Sequence, residues 1–401
     1  MLHACRIRTL SVDGARKSPR KTLDRLLLKQ STRSTSDREN PLVSSRPDFG
    51  YDLTMTKTLT YTTSYGQARC GDSADLIENL IDGSINLMMT SPPFPLLRKK
   101  EYGNTDQDLY VAWLAGFIRQ VMPKIADDGS IVLDLGGAYQ RGQPTRSLHI
   151  YKLIIELCEV VGLHLCQEFF WYNSAKLPSP IEWVNKRKIR AKDSVNTLLW
   201  LSKSPWPKAD VCNVLTPYSA RMTKMLEGQS QVPKAQLRPS GHVMTDTILR
   251  DNGGAIPSNV LTIPNTSSND SYQRRCKQLG IKAHPARFPA KLPEFFIRML
   301  TDPGDVVLDI FAGSNTTGEV AEILGRRWNT FEQDRDYFAA SALRFVHADC
   351  CDNELREIHG TLRSGGTMVL SETRKSKAKG RAVRKLLLGD EVALTVFSPA
   401  C

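Results

Sequence analysis

Asp309–Gly318 reads D-I-F-A-G-S-N-T-T-G. Just upstream lies D-V-V-L (Asp305–Leu308), a short apolar run of strand type, and just downstream E-V-A-E-I-L-G, a helical pattern closed by Gly325. A strand that empties into a glycine-bearing turn and then a helix is how α/β proteins hold a nucleotide-like cofactor. The turn lets the ligand approach backbone N–H groups, and the helix N-terminus faces it. A second acid, Glu332, ends the next apolar segment, R-W-N-T-F-E, where such folds bind a ribose diol. The loop lacks G-x-G-x-x-G, which argues against a dinucleotide enzyme.

Upstream, strand and helix patterns alternate. Leu76–Leu80 reads as a short helix, Ile85–Thr90 as a buried strand, and Asp106–Ile125 as a helix with Leu109, Ala112, Trp113, Phe117, Val121 and Ile125 at helical spacing. Asp127-Asp128-Gly129 reads as a turn before a strand over Ser130–Leu135. Tyr151–Val161 reads as an amphipathic helix, and His164–Tyr172 and Val195–Leu201 as strands. This alternation predicts an α/β fold with a mostly parallel twisted sheet and helices on both faces. Between 205 and 282 the pattern degrades into Pro, Gly, Asn and Ser with scattered Lys and Arg, and it predicts a small irregular recognition module. The expected organisation is a disordered basic extension (1–54, with Met55 a possible start), one half from 55 to 204, the irregular module (205–282), a cofactor half (283–350) and a flexible basic tail (351–401) carrying R-K-S-K-A-K-G-R-A-V-R-K at 374–385.

Composition narrows the partners. Fifty-four Lys and Arg against forty-two Asp and Glu leave a formal net charge of +12, which favours a polyanion. No apolar run reaches membrane-spanning length, and no long apolar leader opens the chain. The nine cysteines are scattered without C-x-x-C spacing, so a reduced cytoplasmic protein without disulfides or a metal site is expected.

The second informative stretch is Thr90-Ser91-Pro92-Pro93-Phe94, placed where the strand Ile85–Met89 ends. Two prolines fix φ and remove two donors, leaving their carbonyls free to accept. Ser91 adds an acceptor hydroxyl and Phe94 a flat apolar face. Together these suit a planar group bearing an exocyclic amine, although the same residues also make a rigid turn.

The chain resembles the permuted S-adenosylmethionine-dependent DNA amino-methyltransferases, and within them the PvuII-type cytosine-N4 enzymes of type II restriction–modification systems. The resemblance runs from about Tyr61 to about Phe345. It is carried by T-S-P-P-F with R-K-K-E-Y-G-N (98–104), by 176–190 (K-L-P-S-P-I-E-W-V-N-K-R-K-I-R), by 283–300 (A-H-P-A-R-F-P-A-K-L-P-E-F-F-I-R-M-L) and by G-S-N-T-T-G (313–318). It implies a Rossmann-like methyltransferase fold, S-adenosylmethionine as cofactor, double-stranded DNA as substrate with the inner C of CAGCTG as target, and a functional pairing with a restriction endonuclease without a stable protein partner. By the same resemblance, Ser91, Pro92, Pro93 and Phe94 form the target-amine motif, with Asp134 beside the pocket. Asp309, Phe311, Ala312, Gly313, Ser314, Asn315, Thr316 and Thr317 form the cofactor loop, and Glu332 holds the ribose. Asp72 and Ser73 meet the adenine, and His284–Lys291, including Phe288 and Pro289, closes over the methionine end. The target motif preceding the cofactor loop is the permuted order, and Asn315 stands where the general loop pattern has a second glycine.

Cytosine N4 is conjugated with its ring and is a poor nucleophile. Acceptors at Ser91 and a proline carbonyl would draw its lone pair out of conjugation. Direct transfer needs no catalytic Cys, and the released proton is expected to pass to Asp134 through Ser91 or water. The target amine lies inside the duplex, so the base must be flipped out, with Phe94 stacking on it. Lys186, Arg187, Lys188 and Arg190 are expected on DNA phosphates. His284 is expected to be structural. Adenine-N6 enzymes of the same permuted class are the alternative, but those usually carry Asp or Asn where Ser91 stands.

Overall fold

The computed structural model describes residues 59–95, 109–229, 250–266 and 270–370, all within the unit Pro47–Cys401. The expectations for 1–54, 98–104 and 374–385 fall outside the described residues. The strands are β1 (Thr60–Thr62), β2 (Gly66–Cys70), β3 (Ile85–Thr90), β4 (Ile125–Gly136), β5 (His164–Tyr172), β6 (Val195–Ser202), β7 (Val260–Thr262), β8 (Val306–Asp309), β9 (Arg327–Glu332) and β10 (Met368–Val369). They form one sheet in the order β10-β1-β2-β9-β8-β3-β4-β6-β5-β7. The run β2-β9-β8-β3-β4 is parallel throughout. β6 lies antiparallel between β4 and β5, and β7 runs parallel to β5.

The central strands are apolar on both faces, as parallel strands covered on two sides must be. In β3, Leu87 and Met89 enter one core, whereas Ile85 and Met88 enter the other. β4 repeats the alternation, with Val132 on the first side and Ile131, Leu133 and Leu135 on the second. Helices α1 (Ser73–Glu78), α2 (Tyr110–Val121) and α3 (His149–Ile155) cover the second face with Ile77, Leu114 and Leu153. After α4 (Ala220–Leu226), the helices α5 (Ser271–Leu279), α6 (Lys291–Leu300), α7 (Thr316–Ile323), α8 (Arg335–Ser341) and α9 (Asp352–Ser364) cover the first face with Tyr272, Phe296, Val320, Phe338 and Leu355.

The neighbours β3 and β8 lead apart. β8 continues through α7 to β9 on one side, and β3 continues through α2 to β4 on the other. Between them a crevice opens at the carboxyl ends of the strands, the place where open α/β sheets take ligands. The S-P-P-F and D-I-F-A-G stretches both empty into it.

Four expectations change. The helix expected over Asp106–Ile125 is α2, which passes at Pro123 into a 3-10 turn, Met122–Lys124. Asp127-Asp128-Gly129 is not a separate turn but part of β4, where a register shift against β3 lets the two aspartates stay exposed. The tail does not begin at 351. Leu355, Ile358 and Leu362 recur at helical spacing, are buried, and anchor α9 on the core. Gly365, at φ 105°, ends the helix, and β10 then pairs with β1. The irregular segment 205–282 is also partly built into the body of the protein. β7 extends the sheet, and α5, capped by Asp270 and by Gly280 at φ 69°, buries Tyr272, Cys276 and Leu279. Among the described residues no helix is long and apolar enough to cross a membrane.

Candidate active site

The crevice is a cavity of about 590 Å³. Ser91, Pro92, Pro93, Phe94 and Asp134 line it. So do Asp72, Ser73, Phe288, Phe311, Ala312, Gly313, Ser314, Thr316 and Glu332. Two stretches more than two hundred residues apart in the chain therefore face one space.

At the β3 end, the Ser91 hydroxyl donates to Asp134 Oδ2 at 3.0 Å, and Asn196 Nδ2 of β6 donates to Asp134 Oδ1 at 3.0 Å. Asp134 is 2% exposed. Burial pushes its pKa up to about 6, against the opposing pull of the Asn196 and Ser91 hydrogen bonds and the Lys176 charge. The carboxylate is thus ionised at neutral pH yet retains appreciable affinity for a proton. Phe94 is fixed by a glycine: a Cβ on Gly136, at the end of β4, would sit 2.4 Å from the Phe94 ring. Any larger residue would move the ring, so the flat face of the target motif depends on that bare backbone.

At the β8 end, Gly313 has φ 54° and Asn315 φ 58°. Asn tolerates the left-handed region better than other side-chain-bearing residues, which explains its place where the loop pattern has glycine. Its side chain is also used fully: Oδ1 accepts from the Gly318 N–H at 3.1 Å, and Nδ2 donates to the Tyr61 hydroxyl at 2.8 Å. The Gly313 N–H donates to Glu332 Oε2 at 2.7 Å, and the Asp334 N–H to Oε1 at 2.9 Å. Burial raises the Glu332 pKa to about 7, those two hydrogen bonds lower it, and the Asp334 and Asp309 charges add to the rise.

An aromatic wall adjoins the loop. Phe311 stacks on Trp113 with centroids 5.5 Å apart, and it meets Phe117 edge-on at 5.2 Å. Trp113 and Phe117 lie four residues apart on α2 and line the cavity. From sequence they are core positions of a helix. Their i, i+4 aromatic spacing was the available signal, but helical periodicity does not tell a core from a pocket wall. Trp171, Asn173, Lys176, Asn196, Asn265 and Arg287 also line the cavity from distant parts of the chain, and nothing local in the sequence marks them.

Four residues expected at the cofactor, Asp309, Asn315, Thr317 and Pro289, do not line the cavity. Asp309 accepts from Thr90 Oγ1 (2.7 Å), Thr317 Oγ1 (2.7 Å) and the Phe311 N–H (3.1 Å), so it ties β3 to the loop from behind. Ser73 lines the cavity, but its hydroxyl donates to the Ile310 carbonyl at 2.5 Å. His284 Nδ1 donates to the Ala286 carbonyl at 2.6 Å, its ring packs edge-on against Tyr337 at 4.5 Å, and burial lowers its pKa. A ring so engaged, 3.0 Å from where a Gly313 Cβ would lie, shapes the loop. Lys186, Arg187, Lys188 and Arg190 are exposed and outside the cavity. Glu182 pairs with Lys186 at 3.2 Å and with Arg187 at 3.1 Å, and Arg190 Nε donates to the Pro144 carbonyl at 2.9 Å.

An aromatic slot, a carboxylate at a strand tip and a glycine turn suit an adenosine-like ligand. A hydroxyl–carboxylate pair opposite them suits an amine awaiting deprotonation. Residues 85–343 match the DNA methylase family, and the chain belongs to it. It is similar to the type II methyltransferase M.PvuII of Proteus hauseri, 51% identical over 319 residues that cover 80% of this chain and 95% of that one. The type II methyltransferase M.BglII of Bacillus subtilis is 22% identical, over 67% of this chain and 65% of its own. A solved structure of the PvuII DNA methyltransferase (cytosine-N4-specific) superposes with a TM-score of 0.65 at 47% identity, covering 79% of this chain and 98% of that one. The sheet is thus a Rossmann-like methyltransferase fold.

Proposed function

We propose that this chain transfers a methyl group from S-adenosylmethionine to N4 of cytosine in double-stranded DNA. The observation that carries the reading is the Ser91–Asp134 pair opening into the same cavity as Phe311 and Glu332. Ser at position 91, rather than Asp or Asn, favours cytosine over adenine.

The residues present fit the cofactor. The Trp113–Phe117–Phe311 wall suits a purine, Glu332 suits a ribose diol, and the turn at Gly313–Ser314 offers backbone at close range. When bound, S-adenosylmethionine supplies an electrophilic methyl on a sulfonium. The chain's own residues prepare the amine. Ser91 gives its hydrogen to Asp134, so its oxygen lone pairs are left to accept from the cytosine amine, together with a carbonyl of the Pro92-Pro93 turn. Those hydrogen bonds localise the nitrogen lone pair. Asp134 then holds the released proton, passed through the Ser91 hydroxyl at 3.0 Å. Phe94, seated on Gly136, stacks on the flipped base.

By resemblance, the target is the inner C of CAGCTG and the host function is protection against a cognate restriction endonuclease in the bacterial cytoplasm, on the nucleoid. The segment 205–282 contributes target recognition, between a target-amine half (55–204) and a cofactor half beginning at 283. Lys186, Arg187, Lys188 and Arg190 meet phosphates. Expression in a methylation-free host followed by base-resolved analysis of its DNA tests this. N4-methylcytosine at CAGCTG is expected. N6-methyladenine, or unmodified DNA, overturns it.

A further inference from the structure

We propose that Leu177 is a wedge that enters the base stack of duplex DNA and holds the gap left when the target base swings out. The inference rests on the duplex-cytosine reading above. Leu177 is 81% exposed. It directly follows Lys176, which lines the cavity and whose charge acts on Asp134, so it stands at the rim through which a target base must pass.

The turn that carries it is braced. Lys192 Nζ donates to the carbonyls of Ser174 (3.4 Å) and Lys176 (3.2 Å). The Lys176 N–H donates to the Asn173 carbonyl at 3.2 Å, and the Asp193 N–H to the Ser179 carbonyl at 3.0 Å. Pro178 fixes φ on the other side. The leucine is therefore held out in water, at the cost of exposing apolar surface. On the same loop Ile181 is 62% exposed and Ile189 47%, the latter set among the exposed cations Lys186, Arg187, Lys188 and Arg190. Apolar tips among cations complement a partner that is anionic outside and apolar within, which describes a duplex with its phosphates and stacked bases. Apolar side chains that open duplexes insert between base steps, and an extruded base leaves such a gap.

The test is single-turnover methylation by full-length L177A and wild-type protein on two duplexes containing CAGCTG. One is fully paired, and the other has the target cytosine opposite an abasic site, where no pairing need be broken. On the paired duplex L177A is expected to be roughly tenfold slower or more, and on the abasic duplex within about twofold of wild type. L177M should recover most of the rate. No loss on the paired duplex, or an equal loss on both, overturns the wedge while leaving the methylase reading intact. Failure of the wild type on both duplexes overturns the reading and the wedge together. At 81% exposure truncation leaves the core untouched, and an unchanged Tm verifies that.

Discussion

Asp134 and Asp309 sit at the ends of β4 and β8, on either side of β3, and the two are 2% and 1% exposed. Consecutive residues of the chain reach them: Thr90 bonds to Asp309, and Ser91 bonds to Asp134. Burial raises the pKa of both. They differ in what is left over. Asp309 is held by two hydroxyls and a backbone N–H and does not line the cavity. Asp134 has two side-chain donors and does line it. A buried, perturbed carboxylate is therefore no mark of catalysis by itself. Access to the cavity separates the two.

The contrast is sharpest at Asp134. Asp134→Asn is expected to slow single-turnover methylation by about 10²- to 10⁴-fold, with chemical denaturation at neutral pH showing stability held or increased, because a buried charge is gone. The pH dependence has two opposite signs. The folded pKa of about 6 lies above the ordinary value of 3.8, so the carboxyl's contribution to stability is full below about 4 and is lost as pH rises through about 6. The rate moves the other way, falling as pH drops below about 6 and the proton acceptor fills. A wild-type rate indifferent to pH in that window would remove Asp134 as the acceptor.

Asp309→Ala should act mainly on folding. It leaves the Thr90 and Thr317 hydroxyls and the Phe311 N–H without their acceptor, a cost of about 3 kcal/mol in the urea unfolding free energy. Activity per folded molecule should drop far less than in Asp134→Asn. A stable but inactive Asp309→Ala protein would break the comparison. The smallest effects on stability are expected at two consecutive residues, Thr90 at the end of β3 and Ser91 just beyond it. Thr90→Val should cost about 1 kcal/mol, and Ser91→Ala should leave the urea midpoint in place while abolishing most of the methylation.

The sheet strands, the turn after β8 and the S-P-P-F turn after β3 were legible because each is local: an apolar run, a glycine, a pair of prolines. Asn315 was legible as a departure from pattern but not as a solution, since its φ of 58° and its bonds to Gly318 and Tyr61 belong to the folded loop. Trp113 and Phe117 were legible as apolar helix positions only, because the same stripe serves a core or a wall. Asn196 and Lys176 enter the site through strand order and loop placement, which depend on contacts between distant segments. The direction of the Asp309 side chain is not legible for the converse reason. Its place in the loop sequence points toward the cavity, but its side chain turns back toward β3. The helix α9 shows in sequence only as three apolar positions, Leu355, Ile358 and Leu362, beside a strongly charged run.

The tip of β3 also constrains what mutation can do to this chain over time. Substitutions there change one partner at a time, but a change of length does not. Inserting a single residue before Thr90 would offset the side chains from their faces and bring the Thr90 hydroxyl, which bonds to Asp309, toward Asp134. Lineages descending from such a protein should therefore accumulate insertions and deletions in surface loops, while the spacing from Ile85 to Phe94 stays fixed in length even where its letters drift.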